Sequence, residues 1–330
     1  MIWIIVITFF LVLIVLLINY ISWCQHNILF VPSGEIVQNP NIPHSDLFVS
    51  VHNYSNIIDI YNNPRCHLLP HLDYIHVWHF NNFENSKTIL FCHGNSGNIT
   101  QRTYIIDACY KLHLNLLLFD YRGYGKSGSL PSKSNIRQDG EVAYEFLLQF
   151  CNSNDIIVWG ESLGGHVATW IASKYSCRSL ILFSTFSSLD DIIIHQNSFN
   201  ILGSILSYIL DMITDLMPTK LYIQNVKCPV IIIHSKEDDV ISYQCAQILQ
   251  NNVKHPNKKL ITINGKHSSP VFNQDQFTQL MMFADLPLQK FKHVFNVKEL
   301  IRDINFMVDN FINNEKKSNL DIHFDLVQKE

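Results

Sequence analysis

Charge is scarce in this chain and missing from its start. Only 16% of the 330 residues are charged, no charged side chain occurs before Glu35, and no Lys or Arg before Arg65. With 24 basic against 28 acidic residues, the net charge of -4 leaves no basic field for nucleic acid and no polybasic patch for anionic lipid. Motifs for metal and redox chemistry are missing too. There is no H-E-x-x-H and no C-x-x-C, and the eight cysteines have no paired spacing. Those beside apolar runs, Cys92 and Cys228 among them, read as buried thiols and not as a disulfide framework. His67 and His71 straddle Pro70, which keeps them off one helical face, so they read as loop histidines. No metal or other cofactor is implied. Internal repeats and low-complexity tracts are absent as well.

What the start does have is apolar length. Met1 to Trp23 is free of charge, and 23 residues of helix would span about 35 Å, enough to cross a bilayer. A cleaved signal peptide would show a basic start, a shorter apolar region and a small-residue cleavage site. Instead the run ends in Tyr20, Ser22, Trp23 and Cys24, and Tyr and Trp suit a membrane interface. The expectation is a retained single-pass anchor over residues 1–24, in contact with membrane lipid. Without flanking basic residues the positive-inside rule gives no orientation. Cys24 stands where palmitoylation occurs in other chains, and equally reads as an ordinary juxtamembrane cysteine. Residues 25–46 are polar with prolines and read as a linker. Residues 47–315 read as the folded domain, and residues 316–330 as a mobile tail.

Within the domain, Leu47–Val51 and Tyr74–Phe80 look like strands, the second alternating Ile75 and Val77 against His76 and His79. Then the rhythm changes. Apolar runs recur at Thr88–Cys92, Leu114–Phe119, Ile156–Trp159, Leu180–Phe183, Pro229–Ile233 and Leu260–Ile263, mostly with room for a helix between them. Runs without alternation, separated by helices, predict an α/β fold with a parallel sheet buried on both faces. A last helix is expected from about Val297 to Phe311, started by a capping-box-like Asn296 and Glu299.

In such sheets functional groups collect at the carboxyl ends of the strands. After Ile156–Trp159 comes Gly160-Glu161-Ser162-Leu163-Gly164, followed by a helix-like segment from His166. A serine on a sharp strand-to-helix turn protrudes where a base and a substrate both reach it, and the glycines avoid collisions there. After Phe119 comes Asp120-Tyr121-Arg122-Gly123-Tyr124-Gly125-Lys126-Ser127-Gly128. Its glycines mimic a nucleotide-binding fingerprint, but Asp120 stands where a phosphate loop needs glycine and Leu130-Pro131-Ser132 interrupts any helix start. It reads as a structural turn, and no nucleotide is implied. After Cys92, His93 to Asn98 could set the backbone N–H of Asn95 beside that of Leu163 as an oxyanion hole. After Ile233 comes an acidic cluster, with Asp238 preferred and Asp239 and Glu237 as rivals. After Ile263 comes His267. The chain order serine, acid, histidine suits a nucleophile, the carboxylate that orients its base, and the base.

These segments together resemble the α/β-hydrolases, and among them the membrane-anchored ABHD-type serine hydrolases. Phe30-Val31-Pro32-Ser33 after the apolar start is similar as well. The resemblance implies an eight-stranded, mostly parallel sheet with helices on both faces. It also implies a serine hydrolase that cleaves esters, thioesters or amides without a cofactor, acting on acyl-ester or acyl-thioester substrates of lipid or acyl-protein type. The departures are Lys266, where relatives carry a small residue and where a cation would lower the imidazole pKa, and a long passage from Pro270 to Asn296.

Two expectations concern access. Residues 186–224 stand where this fold inserts a cap, and they read either as a lid over an acyl pocket or as a helix packed on the core. The sequon at Asn98 lies in the oxyanion segment, where a glycan would obstruct the site, which favours a cytosolic domain; a second sequon is at Asn53. The competing functional class is a catalytically silent hydrolase fold serving as a membrane-tethered interaction module. An epoxide hydrolase or dehalogenase would need an aspartate at the turn, where Ser162 stands.

Overall fold

A computed structural model of the chain describes residues 30–37, 39–52, 73–196 and 216–284. The expected anchor, Cys24, Asn53, His67 and His71, residues 197–215 of the expected cap, the helix expected at 297–311 and the tail lie outside the described residues. Among the described residues no helix is long and apolar enough to cross a membrane.

The apolar runs become the strands of one sheet. In chain order these are β2 (Ser45–Ser50), β3 (Tyr74–Phe80), β4 (Thr88–Cys92), β6 (Asn115–Asp120), β7 (Ile156–Glu161), β8 (Ser179–Phe183), β9 (Val230–Ser235), β10 (Lys258–Lys266) and β11 (Ser269–Val271). The remaining two, β1 (Val31–Pro32) and β5 (Ser96–Gly97), pair with each other outside it. The large sheet has nine strands in the order β11-β10-β9-β8-β7-β4-β6-β3-β2. From β6 to β10 every neighbouring pair is parallel, while β2, β3 and β11 join antiparallel. The expected count of eight is thus exceeded by β11. It folds back on β10 through a tight turn at His267 and Ser268, with Gly265, at a φ of 90°, paired opposite Pro270.

Helices α1 (Thr103–Lys111), α2 (Lys133–Leu147), α3 (Leu163–Lys174), α4 (Leu189–Gln196), α5 (Thr219–Tyr222), α6 (Tyr243–Asn252) and α7 (Gln274–Phe283) fill the connections. On one face Val167, Ala168 and Ile171 of α3 pack with Ile136 and Phe146 of α2 and Leu249 of α6 over Leu90, Val158 and Leu182. On the other face Ile105 and Cys109 of α1 and Phe277 and Leu280 of α7 cover Ile89, Phe91, Ile157 and Ile231. Because both faces are covered, the expected alternation of β3 does not put histidines in water: His76 and His79 are both buried. α7 forms because Asn273 and Gln276 cap its start reciprocally, which gives the long passage after Pro270 part of its structure.

The strand order reverses at β4. The next strand, β6, lies on one side of it and β7 on the other. α1 and α2 therefore leave on opposite faces, and a crevice opens above the carboxyl ends of β4 and β7.

Candidate active site

At the end of β7 the backbone is forced into an unusual shape. Ser162 has φ 52° and ψ -117°, a conformation that costs a non-glycine residue on the order of 1–3 kcal/mol. Surrounding bonds hold it there. Its N–H donates to the Phe183 carbonyl at 2.9 Å, and its own carbonyl accepts from Gly165 N–H at 3.0 Å and Thr185 Oγ1 at 2.6 Å. The glycines are a matter of space. A Cβ on Gly164 would lie 1.9 Å from the Cys92 carbonyl oxygen, and one on Gly165 2.2 Å from Thr185 Oγ1. Side chains there would drive α3 away from β4 and flatten the turn that lifts Ser162 out.

His267 arrives from the loop after β10. Its Nε2 is 3.2 Å from Ser162 Oγ, and its Nδ1 is 2.8 Å from Asp238 Oδ2. The three adjacent acids after β9 all act on this one loop. Glu237 Oε2 accepts from Gly265 N–H at 3.0 Å, Asp239 Oδ1 from His267 N–H at 3.2 Å, and Asp238 alone meets the imidazole. Lys266 Nζ lies 3.6 Å from Asp239 Oδ2 in an exposed pair. Burial works against an ionised Asp238. Hydrogen bonds from His234 and His267, the charge of His267 and the Ile241 N–H outweigh it and hold the carboxyl well below the usual range. Its Oδ1 is taken by Val240 and Ile241 N–H at 3.0 and 2.8 Å, which fixes the side chain. With Nδ1–H donated to a carboxylate that stays charged, Nε2 faces the serine as an acceptor. Such a chain can take the proton of an attacking hydroxyl.

Across the crevice, the loop His93–Asn98 lies over Ser162. A Cβ on Gly94 would stand 3.5 Å from Ser162 Cβ. Leu163 opens α3, so its N–H has no carbonyl behind it within the helix. Asn95 and Leu163 both line the mouth of the cavity that holds Ser162 and His267. This loop is tied down by residues 31–37, expected as linker and found docked instead. β1 pairs with β5, Val31 N–H donates to Asn95 Oδ1 at 3.3 Å, and Tyr124 Oη donates to the same oxygen at 2.8 Å. Asn98 is fully buried, and its Nδ2 donates to the carbonyls of Ser33 and Glu35 at 2.9 and 2.7 Å. Beneath, Asp120 Oδ1 accepts from Ile99 N–H at 2.9 Å, and Oδ2 lies 3.4 Å from His76 Nδ1. The glycine-rich segment after Asp120 is therefore a turn that braces this loop, as its residues suggested.

The cavity below the mouth has a volume of about 400 Å³. Its walls are largely apolar, with Phe91, Trp159, Phe183 and Phe272 from the sheet side and Phe186 and Leu189 from the chain after β8. One carboxylate stands in the wall, Glu161, bonded by the Tyr104 hydroxyl. Among the described residues no group of three or more His, Cys, Asp or Glu is placed to hold a metal ion.

A family model described as the alpha/beta hydrolase fold matches residues 87–199. An uncharacterized protein of Acanthamoeba polyphaga mimivirus is 33% identical over 210 residues, 57% of this chain and 69% of the relative. The chain belongs to the α/β-hydrolase superfamily. The Bem46 protein of Schizosaccharomyces pombe is 34% identical over 164 residues, 48% of this chain and 53% of its own length. Among solved structures, an esterase of Pyrococcus furiosus superposes with a TM-score of 0.58 at 18% identity, covering 78% of this chain and 97% of that one. Acetyl xylan esterase 1 of a Thermoanaerobacterium species superposes at 0.53 and 14% identity, covering 77% and 86%. These structural likenesses are likenesses of fold.

Within this α/β-hydrolase fold, two features of the site went unseen in the sequence. His234 is buried, lies 3.3 Å from Asp238 Oδ2, and donates from Nε2 to the Ile241 carbonyl at 2.9 Å, so it shapes the acidic loop from below. Its position at the end of β9, one strand end among several that carry site residues, was the available signal. The docking of segment 31–37 was signalled only by the resemblance at Phe30-Val31-Pro32-Ser33, because its bonds are made largely by its own backbone, in the pairing of β1 with β5 and with Asn95, Asn98 and Thr100.

Proposed function

We propose that this chain is a serine hydrolase that cleaves a carboxylic ester or thioester of lipid or acyl-protein type through an acyl-enzyme. The observation that carries this is the continuous contact from Asp238 through His267 to Ser162, at a strained turn that opens into an apolar cavity. Ser162 attacks the acyl carbonyl while His267 takes its proton, and Asp238 holds the imidazole and balances its positive charge. The N–H groups of Asn95 and Leu163 receive the negative oxygen of the tetrahedral intermediate. His267 then protonates the leaving group and activates the water that frees the acyl chain. Phe186, Leu189 and Ile192, from the described start of the 186–224 segment, line the same cavity.

Residues 1–24 hold this domain at a membrane as a single-pass anchor, with the domain on the cytosolic side. The apolar start supports the anchor. The two bonds from Asn98 Nδ2 support the side, because a glycan on that nitrogen would break the docking of residues 31–37. Protease protection of the chain in sealed microsomes reads the side directly, and protection of the catalytic domain would refute it.

A fluorophosphonate probe tests the chemistry. Wild-type protein takes the label, while Ser162→Ala and His267→Ala do not, although both keep the native unfolding transition. Turnover of esters falls by about 10³-fold or more in each variant. Retained turnover in Ser162→Ala would refute the mechanism. A folded wild type that takes no label would leave a silent interaction module as the better account.

A further inference from the structure

The cavity reaches well away from Ser162. It runs down the sheet face that α1 and α7 cover, from Glu161 and Ser162 at the mouth to Ile89 and Leu114 near the opposite ends of β4 and β6. Tyr104, Ile105, Ala108, Cys109 and Leu112 line it in turn. Their spacing is that of one helical face carried to the residue that ends α1, and eight residues of rise make the descent about 12 Å. Phe277, Leu280 and Met281 of α7 form the facing wall.

We propose that this groove holds the acyl chain of the substrate, so that chain length is measured by α1 and not by the cap. The inference rests on the hydrolase reading of Ser162 and gives that site its substrate class: unbranched acyl esters or thioesters of medium to long chain. Polarity is graded along the groove. Near the mouth stand Glu161, Tyr104 and Arg102, where the reacting carbonyl and its neighbours lie. At the far end Ile89, Ala108, Leu112 and Leu114 offer no side-chain hydrogen bond, and the Cys109 thiol is held protonated by its burial. A carboxyl or hydroxyl at the tip of the acyl chain would be stranded there, so a plain methyl end is preferred. Phe186, Leu189 and Ile192, from the chain after β8, line the cavity too, and with the acyl chain in the groove they fall to the leaving group.

The test uses the full-length protein in detergent with p-nitrophenyl butyrate, octanoate, laurate and palmitate. For the wild type, kcat/KM rises about fourfold per added methylene until the groove is full. Ala108→Trp places an indole across the groove and lowers the laurate-to-butyrate ratio of kcat/KM at least tenfold, mainly through KM. Leu112→Ala, at the floor, moves the optimum to a longer chain and guards against a folding defect in the first variant. Calorimetric binding of lauric acid to Ser162→Ala separates the groove from catalysis, and Ala108→Trp in that background abolishes it. Laurate bound by Ser162→Ala and lost with Ala108→Trp upholds the groove even if no ester is turned over. Equal losses for butyrate and laurate in Ala108→Trp, or an unchanged profile in both variants, would overturn it.

Discussion

The two faces of the sheet are packed to different ends. On the α2–α3 face the chain is pressed together by its glycines: a Cβ on Gly140 would reach within 2.5 Å of Val167 Cγ1, and one on Gly160 within 2.4 Å of the Gly164 carbonyl oxygen. On the α1–α7 face the same sheet is left with a cavity of about 400 Å³. The dense face is what makes a strained Ser162 tenable, because a turn costing 1–3 kcal/mol persists only where its surroundings over-determine it. The open face provides room for what that serine would act on. Close packing behind Ser162 and open space before it are thus divided between opposite sides of one strand, β7, and meet at its end.

Breaking the dense face should have the largest effect. In Gly164→Val the new side chain collides with the Cys92 and His93 carbonyls. The loss is about 4 kcal/mol in urea unfolding, with fluorophosphonate labelling gone even in the folded fraction. Labelling at the wild-type rate would mean that the turn does not depend on its backing. A matched pair of truncations sharpens the contrast at smaller size. Ile171→Ala, in fully packed surroundings against Gly140, costs about 4 kcal/mol, while Ile105→Ala, on the wall of the cavity, costs about 2 kcal/mol because it has fewer contacts to lose. Equal losses would show that the cavity is filled by protein in solution.

The smallest effect is one of acid. Burial against Phe146 and Phe150 lowers His79 to about 4, and burial, with Arg102 adding to it and Asp120 opposing, lowers His93 to about 4. Both are neutral when folded and titrate near 6.5 when unfolded, so the stability they protect is intact above 6.5 and drains away as pH falls from there toward 4. His79→Phe should recover on the order of 2 kcal/mol at pH 4.5 relative to wild type and change little at pH 8. A parallel loss in both proteins between pH 6.5 and 4.5 would assign the acid sensitivity elsewhere.

The strands were legible because a parallel sheet covered on both faces must be written as unbroken apolar runs. The serine, acid and histidine were legible because each follows such a run. Asp238 was preferred among three consecutive acids and is the one that meets the imidazole, but Asp239 and Glu237 stayed rivals because all three bind the same loop and differ only in where each carboxylate points. The alternation of β3 misled for a physical reason. His76 is buried because Asp46 and Asp120 pair with it, and His79 because aromatic rings enclose it. β11 escaped notice because three residues containing Pro270 carry no strand pattern. The cavity left no trace either: Ile89, Ile105 and Leu112 spell core whether or not their neighbours fill the space between them.

The docked segment 31–37 also sets a geometry of reach. The strand pair that braces the loop over Ser162 starts at Val31, only seven residues after Cys24 in the sequence. With residues 1–24 in a bilayer, as proposed, the tether between membrane and nucleophile is only a few residues long. Short tethers raise effective concentration steeply and forbid distant partners. An acyl group within a few residues of the bilayer surface would meet Ser162 as if in an intramolecular reaction. The same group carried far out on a soluble domain would stay beyond its radius, however well it fitted the groove.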